Sequence, residues 1–221
     1  MDILTAMHAR RAVRAYLDRP VEPEKIRAVL DAARQAPSGA NIQPWQVAVV
    51  QGETRQRLGQ ALIAAREAGQ PENPDYPYYP EKWHDPWRGR RQQCGLALYK
   101  ALGIGREDSE RRKQAWYRNY HFFGAPVGLL FFLDESLGTG SLIDTGIFMQ
   151  GVMLAATGQG LATCPQAALA EYPDVVREIL ALESRLRLVC GMALGYADAD
   201  HPINQYRLPR CEIDEFTRWY D

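Results

Sequence analysis

Ala36-Pro37-Ser38-Gly39-Ala40-Asn41-Ile42-Gln43-Pro44-Trp45 is the stretch that decides how this chain is read. It is a polar loop punctuated by Pro and Gly, set between an amphipathic helical pattern and an apolar run that ends at Val50. Such a loop presents backbone N–H groups, the Ser38 hydroxyl and the Asn41 amide to whatever lies beside it. Upstream stands Arg10-Arg11-Ala12-Val13-Arg14, three cations in five residues directly behind a short helical pattern. Either segment alone reads equally well as a solvated surface feature. In this order and at this spacing, the pair reads as a binding loop and an anion site.

A chain of 221 residues buries a sizeable core, and residues 1–221 are expected to form a single domain. Hydrophobic residues make up 46% and charged residues 24%, the balance of an ordinary globular protein. The net charge of −1 gives no basis for a nucleic-acid or membrane-surface partner, so the arginine cluster is a local feature of a near-neutral molecule. Cys94, Cys164, Cys190 and Cys211 are too far apart for a zinc knuckle or a Cys-x-x-Cys pair. The chain opens on Met1-Asp2-Ile3-Leu4 in a helical pattern without leader-like segments, has no Asn-x-Ser/Thr sequon and has no membrane-length apolar run. The expectation is a reduced, cytoplasmic protein.

Periodicity places helices at 2–10, after Pro20–Lys25 (with Ile26, Val29, Leu30 and Ala33 on one face), at 53–68, 88–103, 107–120 and 173–182. Strands are expected at Trp45–Val50, Val127–Leu133, Leu161–Cys164 and Arg187–Tyr196. Residues 141–159 form a helix that is apolar almost all round and must be buried in a core or in a subunit interface. Residues 69–90 are too rich in Pro for regular structure and too rich in aromatics for a disordered linker. In the tail from Pro202, Ile213, Phe216, Trp219 and Tyr220 need a surface to cover them. Helices interleaved with about four strands indicate an α+β fold.

There is no Gly-x-Gly-x-x-Gly after a strand, no phosphate-binding Gly-x-x-x-x-Gly-Lys, no His-Glu-x-x-His and no Gly-x-Ser-x-Gly. His8, His84, His121 and His201 are scattered. No metal site and no hydrolase or P-loop chemistry is expected, which leaves a reaction carried by an organic cofactor.

The two opening segments resemble the FMN-dependent nitroreductase family. The resemblance extends through Arg118-Asn119-Tyr120-His121-Phe122-Phe123-Gly124-Ala125-Pro126, Gly160 to Ala168, and Cys190 to Asp198. It is greatest to the branch that reduces p-nitrobenzoate, nitrobenzene and related nitroaromatics. The resemblance implies a central, mostly antiparallel sheet flanked by helices, in an intertwined homodimer with FMN at the interface. It also implies roles for individual residues. Arg10 and Arg210 are the candidates for the FMN phosphate, Arg14 for the N1 side of the ring, and Arg11 and Ala12 for backbone or ribityl contacts. Pro37, Ser38, Gly39 and Asn41 would reach the partner's flavin. Pro165, Gln166, Ala167 and Ala168 would run along the ring edge, with the Ala167 N–H near N5. Asn119 and Arg207 complete the cofactor set. Better-known relatives carry Glu-Gly where this chain has Ala167-Ala168, so an acidic side chain is missing.

Within the region 69–120, Tyr76, Tyr79 and Trp83 are candidate substrate contacts in a lid of flat side chains, with His121 beside them. A structural excursion is the other reading of that segment. Residues 202–221 are expected to extend over the partner. The expected activity is NADPH- or NADH-dependent, ping-pong reduction of nitroaromatics to nitroso compounds and hydroxylamines. Reductive dehalogenation, or quinone or enone reduction, on the same cofactor is the alternative; a non-catalytic protein binding an aromatic ligand or flavin is a second.

Overall fold

The computed structural model describes residues 1–221. Four strands, Gln46–Gln51 (β1), Val127–Asp134 (β2), Ala162–Gln166 (β3) and Leu186–Gly195 (β4), form one sheet in the order β1-β2-β4-β3, with every pairing antiparallel. The central strands β2 and β4 are covered on both faces. Their sequences are therefore almost continuously apolar, as in Val127-Gly128-Leu129-Leu130-Phe131-Phe132-Leu133. The expected α+β architecture with an antiparallel sheet is the one that forms.

The helices are Ile3–Ala9 (α1), Pro23–Ala33 (α2), Gly52–Glu67 (α3), Trp87–Ala101 (α4), Ser109–Tyr117 (α5), Gly140–Gly158 (α6), Pro173–Leu180 (α7) and Ile213–Phe216 (α8). Local chemistry sets their starts. Asp2 accepts the Thr5 N–H at 3.0 Å and Asp108 accepts the Arg111 N–H at 3.1 Å, while α2 and α7 each open on a proline. The helix expected over 107–120 stops at Tyr117, because Phe122 and Phe123 take left-handed backbone (φ 52° and 56°) and turn the chain into β2.

Alternate residues of β2 serve two cores. Leu130 and Phe132 pack with Leu58 and Leu62 of α3, Val176 of α7, Tyr120 and Phe122. Leu129 and Phe131 pack on the other face with Val29 of α2 and with Phe148 and Val152 of α6. Each such fully buried side chain contributes about 1.5–3 kcal/mol relative to exposure. α2 lies close against α6, where a Cβ on Gly151 would sit 3.3 Å from the Ala33 Cα.

α6 shows what an all-round apolar helix does in one chain. Ser141, Thr145, Phe148, Val152 and Ala156 form a buried stripe, while Ile143 (67% exposed) and Ile147 (41%) lie open on another face. Met1, Ile3, Leu4 and Met7 at the N-terminus, and Ile213, Phe216, Trp219 and Tyr220 in the tail, are exposed as well. No helix is long and apolar enough to cross a membrane.

Candidate active site

The loop after α1 hangs on the edge of the sheet. The Val13 N–H donates to the Thr163 carbonyl at 3.0 Å, and Ala12 bridges Thr163 in parallel, so residues 10–14 run beside β3 like a short added strand. The tail returns across this loop. Together they line a cleft of about 320 Å³ with Arg10, Arg11, Ala12 and Arg14 from one side and Tyr206, Arg207 and Arg210 from the other. Five guanidinium groups line the cleft and no carboxylate does. Burial, then the neighbouring Arg210, pulls Arg10 below its ordinary value. Like charges held this close are stabilised by an anion placed between them.

Asn204 holds the two segments together. It is 2% exposed; its Oδ1 accepts the Arg14 N–H at 2.8 Å, and its Nδ2 donates to the Ala15 and Asp198 carbonyls at 2.8 and 2.7 Å. Arg14 Nη1 donates to the Tyr206 hydroxyl at 3.3 Å. Sequence reasoning missed Asn204, since an Asn in a polar turn carries no sign of a partner 190 residues away.

At the end of β3, Gln166 is 3% exposed and donates from Nε2 to the Asn119 carbonyl at 2.8 Å. Its Oε1 is buried without a partner. A buried acceptor left open is costly and calls for a donor from a bound group. Pro165, Ala167 and Ala168 flank it, with Ala167 opening the short turn Ala167–Ala170. The structure thus brings Asn119 and Gln166 together.

The aromatic segment has two halves. Its stem is fastened to the body: Asp75 takes Arg177 at 2.7 and 3.1 Å and the Leu188 N–H at 2.7 Å, and the Tyr76 hydroxyl donates to the Val189 carbonyl at 2.7 Å. Tyr76 is therefore an anchor whose polar group is already engaged. Beyond it the rings run in sequence, Tyr78 against Tyr79 at 4.7 Å and Tyr79 against Trp83 at 5.6 Å, and Tyr79 is 58% exposed. This half presents an open aromatic surface.

The Nitroreductase family model matches residues 7–196. The chain belongs to the Nitroreductase family. It is 42% identical over 210 residues to the nitrobenzene nitroreductase of Ectopseudomonas oleovorans, covering 94% of this chain and 92% of that one. Two solved structures align over 100% of both chains. One is the FMN- and NADPH-dependent nitroreductase NfnB of Sphigopyxis sp. strain HMH (TM-score 0.97, 39% identity). The other is the FMN-dependent nitroreductase NfnB of Mycobacterium smegmatis in complex with NADPH (TM-score 0.93, 37% identity).

Not every expected residue of this nitroreductase family member meets at the cleft. Ser38 Oγ accepts the Gln43 N–H at 2.9 Å, and the Gly39 N–H approaches Asp144 at 3.4 Å, so the loop carrying Pro37, Ser38, Gly39 and Asn41 sits at the N-terminal end of α6. The 10–14 loop instead runs beside Thr163 of β3, the strand that follows α6, and none of the residues 37–41 lines the cleft. Ala40, Asn41 and Gln43 hold left-handed backbone (φ 49°, 58° and 49°), strain that costs of order 1–3 kcal/mol per residue. His121 is also drawn away. Its ring packs where a Cβ on Gly59 of α3 would lie 2.5 Å from Nδ1, and burial, then Arg55, lowers its pKa. It faces α3 rather than the aromatic surface, held where Gly59 leaves room for its ring.

Proposed function

We propose that this protein is an FMN-dependent reductase that uses NADPH or NADH to reduce nitroaromatic compounds in two-electron steps to nitroso compounds and then hydroxylamines. The observation that carries the proposal is the carboxylate-free cleft of five arginines; the unpartnered Gln166 acceptor, on the strand along which the 10–14 loop runs, adds to it. That donor set fits FMN, a phosphate dianion joined to a ring system with N–H and carbonyl edges. When bound, FMN supplies the electron transfer between nicotinamide and nitro group. The names of the relatives, nitrobenzene nitroreductase among them, support the substrate class.

The protein's own residues bind and orient. Arg10 and Arg210 hold the phosphate, each through charge-assisted hydrogen bonds worth about 1.5–3 kcal/mol. Arg14, kept in place by Asn204 and Tyr206, sets positive charge beside the ring. Arg11, Ala12 and Arg207 contact the chain between phosphate and ring. Gln166 Oε1 and Asn119 meet the polar edge of the ring, and Pro165, Ala167 and Ala168 pass beside it with their backbone. Tyr79 and Trp83 give a flat, electron-poor nitro compound a stacking surface, worth about 0.5–1.5 kcal/mol per aromatic pair beyond burial. The nicotinamide product leaves before the nitro compound enters.

The active form is a homodimer in the cytoplasm. The open face of α6 at Ile143 and Ile147 and the uncovered apolar tail support this reading, for a second copy would cover both. Pro37, Ser38, Gly39 and Asn41 of one protomer then reach the FMN of its partner, which accounts for a strained loop outside its own cleft. Residues 202–221 lie over the partner, and Tyr78 to Trp83 form the lid.

Reconstitution tests the proposal. Purified protein supplied with FMN should consume NADPH or NADH when nitrobenzene or 4-nitrobenzoate is added, and yield the hydroxylamine. Turnover confined to halophenols, quinones or enones would move the assignment to those substrates, and a protein that never takes up FMN would overturn it. Sedimentation should show FMN shifting the population toward dimer; a monomer that binds FMN tightly would rule out a shared site.

A further inference from the structure

Arg118 is a partly buried cation with no counter-ion. Two other partly buried arginines outside the cleft meet carboxylates: Arg66 meets Glu171 at 3.0 Å and Arg177 meets Asp75 at 2.7 Å. Arg118 meets only carbonyl oxygens. Its Nη2 donates to Arg14 at 3.1 Å and to Phe123 at 3.4 Å. Burial alone lowers its pKa, with no charged group acting on it. Arg55 adds a second guanidinium to the same turn, donating to the His121 carbonyl at 3.2 Å.

The position of this charge is specific. Arg118 bridges the 10–14 loop and the left-handed turn at Phe122 and Phe123, and the turn is closed by the Phe123 N–H on the Arg118 carbonyl at 2.7 Å. The next residue, Asn119, receives Gln166. Arg118 therefore stands directly behind both segments assigned above to the ring of FMN, without lining the cleft itself. A buried cation that lacks an acid in its own chain is stabilised when an anion binds nearby. Taking up two electrons and one proton leaves the ring of FMN with one additional negative charge.

We propose that Arg118 is a positioning residue for the cofactor: it fixes Arg14 through its carbonyl and keeps a standing positive charge behind the loop, which favours reduced FMN over the oxidised form. The inference rests on the FMN reading of the arginine cleft. A unit charge acting over roughly 10 Å in a protein shifts a binding ratio by about tenfold.

The test measures two quantities in wild type, Arg118→Lys and Arg118→Met. One is the affinity of the apoprotein for oxidised FMN, by quenching of flavin fluorescence; the other is the potential of the bound flavin, by anaerobic equilibration with a reference dye. Arg118→Met should weaken the reduced complex about tenfold more than the oxidised one, a fall of about 30 mV for a two-electron couple. Arg118→Lys keeps the charge but not the two-carbonyl bridge, so it should bind FMN more weakly while holding the wild-type potential. Should Arg118→Met not fold, Arg118→Gln, which keeps one hydrogen bond without charge, is expected to show the same fall. Equal weakening of both forms with an unchanged potential in the neutral variant would make Arg118 a structural staple and overturn the inference, leaving the FMN assignment intact. A wild type that binds no FMN would overturn both.

Discussion

Replacing Asp75 by Asn tests what holds the aromatic segment to the body of the protein. The Asp75–Arg177 pair is largely buried, with side-chain exposures of 16% and 11%. Asp75 answers two guanidinium nitrogens and the Leu188 N–H. Asn retains one acceptor oxygen, so at least one of those donors is left unmatched and the charge on Arg177 loses its main partner. Breaking a buried pair costs about 3–5 kcal/mol. Here Arg177 keeps Asp174 at 2.6 Å and the Leu186 carbonyl at 2.9 Å, which reduces the expected loss to about 2–3 kcal/mol. For a chain of this size that is a fall in Tm of about 4–12 °C. Differential scanning calorimetry at fixed protein and FMN concentration measures it, and a double-mutant cycle with Arg177→Met isolates the pair. A fall below about 1 °C would refute the view that this clamp stabilises the segment.

Arg10→Ala should weaken FMN retention by roughly ten- to a hundred-fold, since one charge-assisted contact is lost and each 1.4 kcal/mol is a decade; unchanged affinity in a flavin titration would remove Arg10 from the phosphate site. Tyr79→Ala or Trp83→Ala should raise the KM for nitrobenzene several-fold with little effect on flavin reduction by nicotinamide, because aromatic pairing supplies only about 0.5–1.5 kcal/mol. If neither variant changes the nitro half-reaction, the exposed rings have no part in substrate binding. Burial pushes the thiols of Cys164 and Cys190 up to about 11 and about 12, so both stay protonated at pH 8. Native protein treated with iodoacetamide should be labelled only at the partly exposed Cys94 and Cys211, and peptide mapping that finds Cys164 or Cys190 alkylated before unfolding would contradict the buried placement.

Much of the fold was legible because local signals agreed with one another. Pro23 and Pro173 mark the starts of α2 and α7, and the apolar runs at Val127 and Leu188 mark strands covered on both faces. The bounds of α5 were less so, since nothing in Phe122-Phe123 announces left-handed backbone in aromatic residues. α6 hid its two faces for a related reason: with apolar residues all round, no periodic polarity separates the stripe at Phe148 and Val152 from the open side at Ile143. Arg10, Arg11 and Arg14 stood out by density, Arg207 and Arg210 only through the family resemblance, and the structure brings the five together. The residues that arrange them did not stand out. Asn204 acts across 190 positions, Asp75 across 102 to Arg177, and Arg118 across 104 to Arg14, and each looks like an ordinary polar residue until the chain folds.

The central claim is that the cleft carries a flavin able to pass electrons from nicotinamide to a nitro group. Anaerobic stopped-flow on the FMN-loaded protein separates the two halves. NADPH or NADH should bleach the flavin absorbance in the first mixing, and nitrobenzene should restore it in the second, at a rate that rises with nitrobenzene concentration and accounts for kcat. A flavin that nicotinamide reduces but no nitroaromatic reoxidises would contradict the account.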